Sequence, residues 1–142
     1  MLIDVHAHFL HDRTPRSDWR ERNASRLSAG ERIGITTHVA SVLGSWGHTS
    51  PTYFPSPADL RYGNDTLLAM QRQLPSLIRG YVTVNPNYPA EALAEINRCL
   101  DAGMIGIKLA ASRRANDPLV DPVCRLAAEL QALAQFGTPS LV

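Results

Sequence analysis

Two histidines near the start of the chain, His6 and His8, have the residue type and the spacing of metal ligands. They lie in the segment IDVHAHFL at residues 3–10. Successive side chains of a β-strand point to opposite faces, so we expect Asp4, His6 and His8 to share one face. Neutral imidazole is the commonest protein ligand for a metal ion. The segment therefore predicts half of a divalent metal site, with Asp4 as a carboxylate behind the ligands; the alternative is a solvated strand end.

The same segment resembles the first-strand signature of the amidohydrolase superfamily. HAHFL resembles the amidohydrolase-related branch, which includes aminocarboxymuconate-semialdehyde decarboxylase-like enzymes. The resemblance implies a metal-dependent (β/α)8 barrel, also called a TIM barrel, in which His6 and His8 are first-strand ligands of a divalent ion, with zinc the expected metal. It also implies hydrolysis of a small carbonyl or carboxylate substrate by metal-activated water, with nonoxidative decarboxylation as the alternative.

A second chemical group lies in the segment MIGIKLA at residues 104–110. Alternation places Ile105, Ile107 and Leu109 on one face and Lys108 on the other. In a barrel that other face points inward, so Lys108 is a candidate residue at the rim of the site, or a lysine that reaches solvent. GIKL resembles the fourth strand of the same branch, whose members are generally mononuclear, so a bridging lysine is the secondary interpretation.

Two further residues are weaker candidates for contact with a substrate. Asn85 follows a strand and precedes a proline, so it either orients substrate or closes the turn, and the turn is the favoured role. His38 lies in a strand with small or polar residues on both faces. The favoured interpretation is a core or rim histidine whose ring nitrogens are hydrogen-bonded within the protein.

Composition is that of an ordinary globular protein. Of 142 residues, 44% are hydrophobic and 19% are charged, and the formal net charge is +1. We therefore expect a small-molecule substrate as partner, and neither nucleic acid nor a membrane. Two cysteines without metal-ligand spacing and no leader-like segment make a cytoplasmic location the expectation.

The elements that must position these residues alternate between strand and helix. After the first strand, Ser17 or Asp18 caps a helix that ends near Gly30, and Asn64 or Asp65 caps a second helix that Pro75 stops. A last helix opens at Asp117. Its predicted buried residues are Leu119, Val123, Leu126, Leu130 and Leu133. The other predicted segments are strands at 33–43, 77–85, 104–110 and 138–142, a loop at 44–63 and a helix at 89–102 closed by Gly103.

This order predicts a parallel sheet with crossover helices. A (β/α)8 barrel typically takes about 250 residues. We therefore expect residues 1–142 to form one truncated domain, the N-terminal half of a barrel with about four βα units and the start of a fifth strand. Such a half-barrel leaves strand edges open, which predicts self-association.

The family's later ligands, on the fifth, sixth and eighth strands, have no counterpart among these segments. Two protein ligands fall short of the three that a catalytic zinc site usually has, so we expect the isolated chain to be inactive. Two other functions stay open. One is a metal-dependent nuclease of the TatD type, which also begins with an HxH strand, and the other is a non-catalytic half-barrel that acts by self-association.

Overall fold

Strands and helices alternate along the whole described chain. The computed structural model describes residues 1–43, 55–109, 113–130 and 133–136. A short 3-10 turn, Pro118–Val120, leads into the last helix. In chain order the elements are β1 (Leu2–His8), α1 (Trp19–Arg32), β2 (Ile35–Ser41), α2 (Pro57–Gln73), β3 (Ile78–Val84), α3 (Pro89–Asp101), β4 (Gly106–Leu109), α4 (Asp121–Glu129) and β5 (Leu133–Phe136).

The five strands form one sheet in the order β1-β2-β3-β4-β5, and every neighbouring pair is parallel. Each strand returns to the sheet through a helix, as parallel neighbours require. The predicted fold, an α/β half-barrel of four βα units and a fifth strand, is confirmed.

The apolar core lies between the sheet and its helices. Ile78, Val82 and Val84 alternate along β3, and Ile107 of β4 is 0% exposed beside them. On α3, Ile96 packs into the same core. Residues of the opposite parity on these strands include the polar Thr83 of β3 and Lys108 of β4. The alternation therefore separates an apolar face under the helices, called the helix face, from a polar face, called the inner face.

Two buried asparagines tie helices to the ends of strands. The Asn64 side chain in α2 accepts a hydrogen bond from the backbone N–H of Thr83 (2.9 Å) and donates one to its carbonyl oxygen (3.1 Å). The β2–β3 pairing has ended by this point, at Ala40 and Gly80, so Asn64 replaces a strand partner. Asn23 in α1 contacts both backbone groups of Leu10 in the same way. These contacts satisfy backbone groups that the sheet leaves open.

The second helix begins earlier than the sequence predicted. Its first residue is Pro57, and Ser56 is the N-cap, with its hydroxyl accepting from the backbone N–H of Asp59 at 3.2 Å. Proline at the first helical position suits this start. The caps predicted at Asn64 and Asp65 are wrong, and so is the 57–63 part of the predicted loop; residues 44–54 lie outside the described residues.

The last predicted helix extends too far along the chain, since α4 ends at Glu129. Leu119 and Leu130 are 37% and 46% exposed, and Leu133 belongs to β5, so the predicted buried side is wrong at these three positions. The helix buries Val123 and Ala127. The fifth strand is Leu133–Phe136, ahead of the predicted 138–142, which lies outside the described residues. The helix at 89–102 and Gly103, whose φ is +97°, agree with the prediction.

Within the described part of the chain, no helix is both long enough and apolar enough to cross a membrane.

Replacing Asn64 by alanine tests the link between α2 and β3. Asn64→Ala leaves the backbone N–H and carbonyl of Thr83 buried without partners, so we expect the free energy of unfolding to fall by about 2–4 kcal/mol. Urea denaturation followed by circular dichroism measures the loss. Gln73→Ala, at an exposed position of the same helix, is the control and should change stability by less than about 0.5 kcal/mol. Equal stability of the two variants would contradict the role assigned to Asn64.

Candidate metal-binding site

The two histidines of β1 converge on one point. The Nε2 atoms of His6 and His8 are 3.0 Å apart, and their rings meet edge to face with centroids 4.8 Å apart. Two imidazole nitrogens at this distance can each lie about 2.1 Å from a single ion between them, which is the usual length of a metal–imidazole bond.

Ser41 of β2 holds the far side of the His8 ring. Its Oγ is 2.9 Å from His8 Nδ1, and the two residues are register partners in the sheet. Ser41 is 1% exposed. The contact therefore occupies the ring nitrogen that does not face His6.

Lys108 of β4 completes the cluster from across the sheet. Its Nζ lies 3.2 Å from His6 Nε2, although β4 is three strands from β1. In a flat sheet these strands would be about 14 Å apart, so the contact requires the sheet to curl with its inner face concave. Lys108 is 2% exposed, and it is the only lysine in the sequence. Lysine is rarely buried this fully.

Burial and charge set the protonation of the cluster. Burial, followed by the charges of Lys108 and His6, lowers the pKa of His8 to about 4. Burial also lowers the pKa of Lys108 below its ordinary value. The His8 ring is therefore neutral at physiological pH, which is the form that binds a metal ion.

Asp4 and His38 form a separate pair on the helix face. A register shift between Asp4 and Ala7 interrupts the alternation of β1, so Asp4 is paired with His38 while Ala7 is paired with Ala40. The Asp4 carboxylate contacts His38 Nδ1 at 3.1 Å and accepts the backbone N–H of His6 at 3.0 Å. The expectation that Asp4 shares the histidines' face is wrong.

His38 packs against the first helix. It is 1% exposed, and a Cβ placed on Gly30 of α1 would lie 2.6 Å from its Nε2. Only glycine permits so close an approach of the helix. The structure therefore places His38 in the layer between sheet and helix, apart from the His6–His8 pair.

Asn85 lies at the end of β3, where its side chain organises the turn. Its Oδ1 accepts from the backbone N–H of Asn87 at 3.0 Å, and its Nδ2 donates to the carbonyl of Pro55 at 3.0 Å. These hydrogen bonds close the turn after β3, which is the role that the sequence favoured for Asn85.

Sequence reasoning gave no functional role to two inner-face residues, Ser41 and Thr83. Thr83 is the register partner of Lys108 and is 0% exposed, and its hydroxyl has no hydrogen-bond partner within the described ranges. Both lie on the inner face by strand alternation, which is a signal the sequence carries. Which neighbours they meet depends on strand register, which the sequence does not display.

The side chains of the site match part of the ligand set of a divalent ion. The described residues contain no group of three or more His, Cys, Asp or Glu side chains placed to hold a metal. They do supply two convergent imidazole nitrogens, of which one belongs to a neutral ring on a rigid strand. The pair fits two positions of a metal site.

A cavity of about 430 Å³ lies elsewhere, between α2 and α3. Its described lining residues include Leu60, Glu95 and Arg98, and do not include His6, His8 or Lys108. Glu95 and Arg98 are paired to each other at 2.6 Å. This cavity is thus separate from the inner-face cluster.

Comparison with solved structures supports the fold. A Staphylococcus aureus protein assigned to the amidohydrolases is 20% identical with a TM-score of 0.79, and the match covers 99% of this chain and 48% of that one. The 2,6-dihydroxybenzoate decarboxylase from Rhizobium is 18% identical with a TM-score of 0.68, and the match covers 94% of this chain and 49% of that protein. A dihydroxybenzoic acid decarboxylase from Polaromonas was solved with manganese and 2-nitroresorcinol. It is 18% identical with a TM-score of 0.69, and the match covers 99% of this chain and 51% of that protein.

These matches establish the N-terminal half of a TIM barrel as the fold of this chain. The chain spans about half the length of each of these structures. No family model matches the sequence, and no curated protein matches it.

Removing the Lys108 charge tests whether the buried amine lowers the free energy of unfolding. Lys108→Met preserves most of the side-chain volume and removes a buried amine, so we expect the metal-free protein to become more stable by about 1–2 kcal/mol. Urea denaturation measures the change, with Arg125→Met as the control at an exposed position. A loss of 1 kcal/mol or more in Lys108→Met alone would mean that Lys108 stabilises the fold.

Proposed function

We propose that this chain belongs to the amidohydrolase superfamily, in its amidohydrolase-related branch, and that His6 and His8 hold a catalytic divalent metal ion. The observation that carries the proposal is the 3.0 Å approach of the two Nε2 atoms on the concave face of a half-barrel. The support is threefold: the sequence of the first strand, the shared fold and the donor chemistry of the pair.

Each inner-face residue has a role in this proposal. His6 and His8 bind the ion through Nε2, and Ser41 contacts the opposite nitrogen of the His8 ring. Lys108 places a positive charge beside the pair and attracts a substrate carboxylate. A bound divalent ion supplies Lewis acidity and lowers the pKa of water. Thr83 offers a hydroxyl on the same face.

Hydrolysis of a small carbonyl or carboxylate compound is the reaction we propose, and nonoxidative decarboxylation is the alternative within the same branch. Two of the similar structures are decarboxylases of dihydroxybenzoates, and one of them holds manganese. Manganese therefore joins zinc as a candidate ion. The basic side chain of Lys108 suits an acidic substrate for either reaction.

The proposal assigns two metal ligands, His6 and His8, and a catalytic zinc site usually has three from the protein. We therefore propose metal binding, without turnover, as the measurable activity of the 142-residue chain. Turnover would require the further ligands that the resemblance places on later strands.

Removing both imidazoles tests the metal site. We expect His6→Ala/His8→Ala to weaken Mn²⁺ and Zn²⁺ binding by about 100-fold or more, because both ligands from this strand are lost. Isothermal titration calorimetry measures the affinities. His38→Asn is the matched control, since it removes an imidazole that contacts Asp4, and its metal affinity should stay within about threefold of the wild type. Equal binding by the double variant and the wild type would overturn the proposal.

Self-association is a second candidate function, and the exposure of β1 favours it. Leu2, Ile3 and Val5 are 50%, 41% and 57% exposed on a strand that pairs on one side with β2. An apolar strand at a sheet edge is a template for pairing with another chain. We propose that two copies of this chain associate through β1.

Charge on β1 tests this association. Ile3→Lys/Val5→Lys should shift the protein toward the monomer by at least tenfold in dissociation constant, because two ammonium groups would meet their copies across the edge. Sedimentation velocity measures the shift. Ile33→Lys, at a position that is 68% exposed outside the strand, is the control. A wild-type protein that is monomeric at all concentrations would contradict the second candidate.

A further inference from the structure

We infer that Ser41 is a positioning residue for the metal site: it accepts the Nδ1–H of His8 and so leaves the Nε2 lone pair of that ring for the ion. The inference rests on the proposed function for its purpose, since it concerns the same site. It assigns a role to a residue outside the HxH pair and on a different strand.

The geometry of the contact supports this role. Ser41 Oγ lies 2.9 Å from His8 Nδ1, a normal hydrogen-bond distance. The serine is 1% exposed, so little water competes for the nitrogen. Its backbone is fixed as well, because the Ser41 carbonyl accepts the backbone N–H of Phe9 at 3.2 Å.

The chemistry of imidazole gives the contact its consequence. A neutral ring has one N–H and one lone pair, and the group that accepts the N–H decides which nitrogen is left to bind a metal. His8 Nε2 is the nitrogen that faces His6. A hydrogen bond from Nδ1 to Ser41 therefore selects the tautomer that binds the ion, and it also fixes the rotation of the ring.

The sheet provides this partner through register. His8 and Ser41 are aligned at the ends of two adjacent parallel strands. Residues paired in this way have side chains on the same face about 5 Å apart. The serine can therefore reach the ring without any movement of the backbone.

Metal affinity tests the inference first. Ser41→Ala should weaken Zn²⁺ binding by about 10- to 100-fold, the usual effect of removing a hydrogen-bond partner from a metal-bound histidine. Ser41→Thr and Ser41→Val have nearly the same shape and differ by the hydroxyl, so the threonine variant should bind at least tenfold more tightly than the valine variant. Ser28→Ala, at an exposed helix position, is the control for fold and concentration.

The tautomer provides a readout that a purely structural role would not move. In the zinc-loaded protein with ¹⁵N-labelled histidine, NMR should show His8 protonated at Nδ1, and Ser41→Ala should lose the slowly exchanging Nδ1–H signal. Equal Zn²⁺ affinity of Ser41→Ala and wild type, or His8 protonated at Nε2, would overturn the inference. Equal affinity would leave the His6/His8 metal site intact, whereas His8 protonated at Nε2, or failure of the wild type to bind zinc, would overturn both.

Discussion

The curl of the parallel sheet is the constraint on which the candidate site depends. It brings Lys108 on β4 within 3.2 Å of His6 on β1, across two intervening strands. The curl follows from the chain's pattern of strand, helix and strand, which covers one face with helices and leaves the other concave. Without it, the histidines would lie at a sheet edge with no contact from β4.

The two faces of the sheet carry different kinds of side chain. Apolar side chains such as Val82 and Ile107 fill the helix face, and that core stabilises the fold. The inner face carries the buried amine of Lys108, which contacts His6, and the hydroxyl of Thr83, which has no hydrogen-bond partner in the described residues. Burying such polar groups costs free energy of folding. Groups that reduce stability are retained most often where they serve binding or catalysis. The contact of Lys108 with His6 is consistent with the proposed metal site.

Much of the fold could be predicted from local signals, and the errors have physical causes. Pro89 at a helix start and Gly103 after its end bounded α3 correctly. The start of α2 was missed because the Ser56-Pro57 cap signal lies inside a stretch rich in glycine and proline, and Gly63 within the helix was taken as loop. The exposed Leu119 and Leu130, which flank α4, show that periodicity alone does not tell which apolar residues find a partner.

The site was predictable only in part. The HxH pair and Lys108 follow from strand alternation, which is visible in the sequence. The position of Asp4 depends on a register shift that no local pattern reveals, and the contact of Ser41 with His8 depends on how two strands align. Strand register is set by the packing of the whole sheet. Contacts that depend on register therefore cannot be predicted from single segments of the sequence.

The metal site is tested most directly by electron spin-echo spectroscopy of the Mn²⁺-loaded protein, with and without ¹⁵N-labelled histidine. Coupling of the manganese electron spin to two imidazole nitrogens, shifted by the label and absent in His6→Ala/His8→Ala, is the predicted result. A spectrum with no histidine nitrogen coupling in the wild type would mean that the ion binds elsewhere, and it would contradict the assignment of His6 and His8 as ligands.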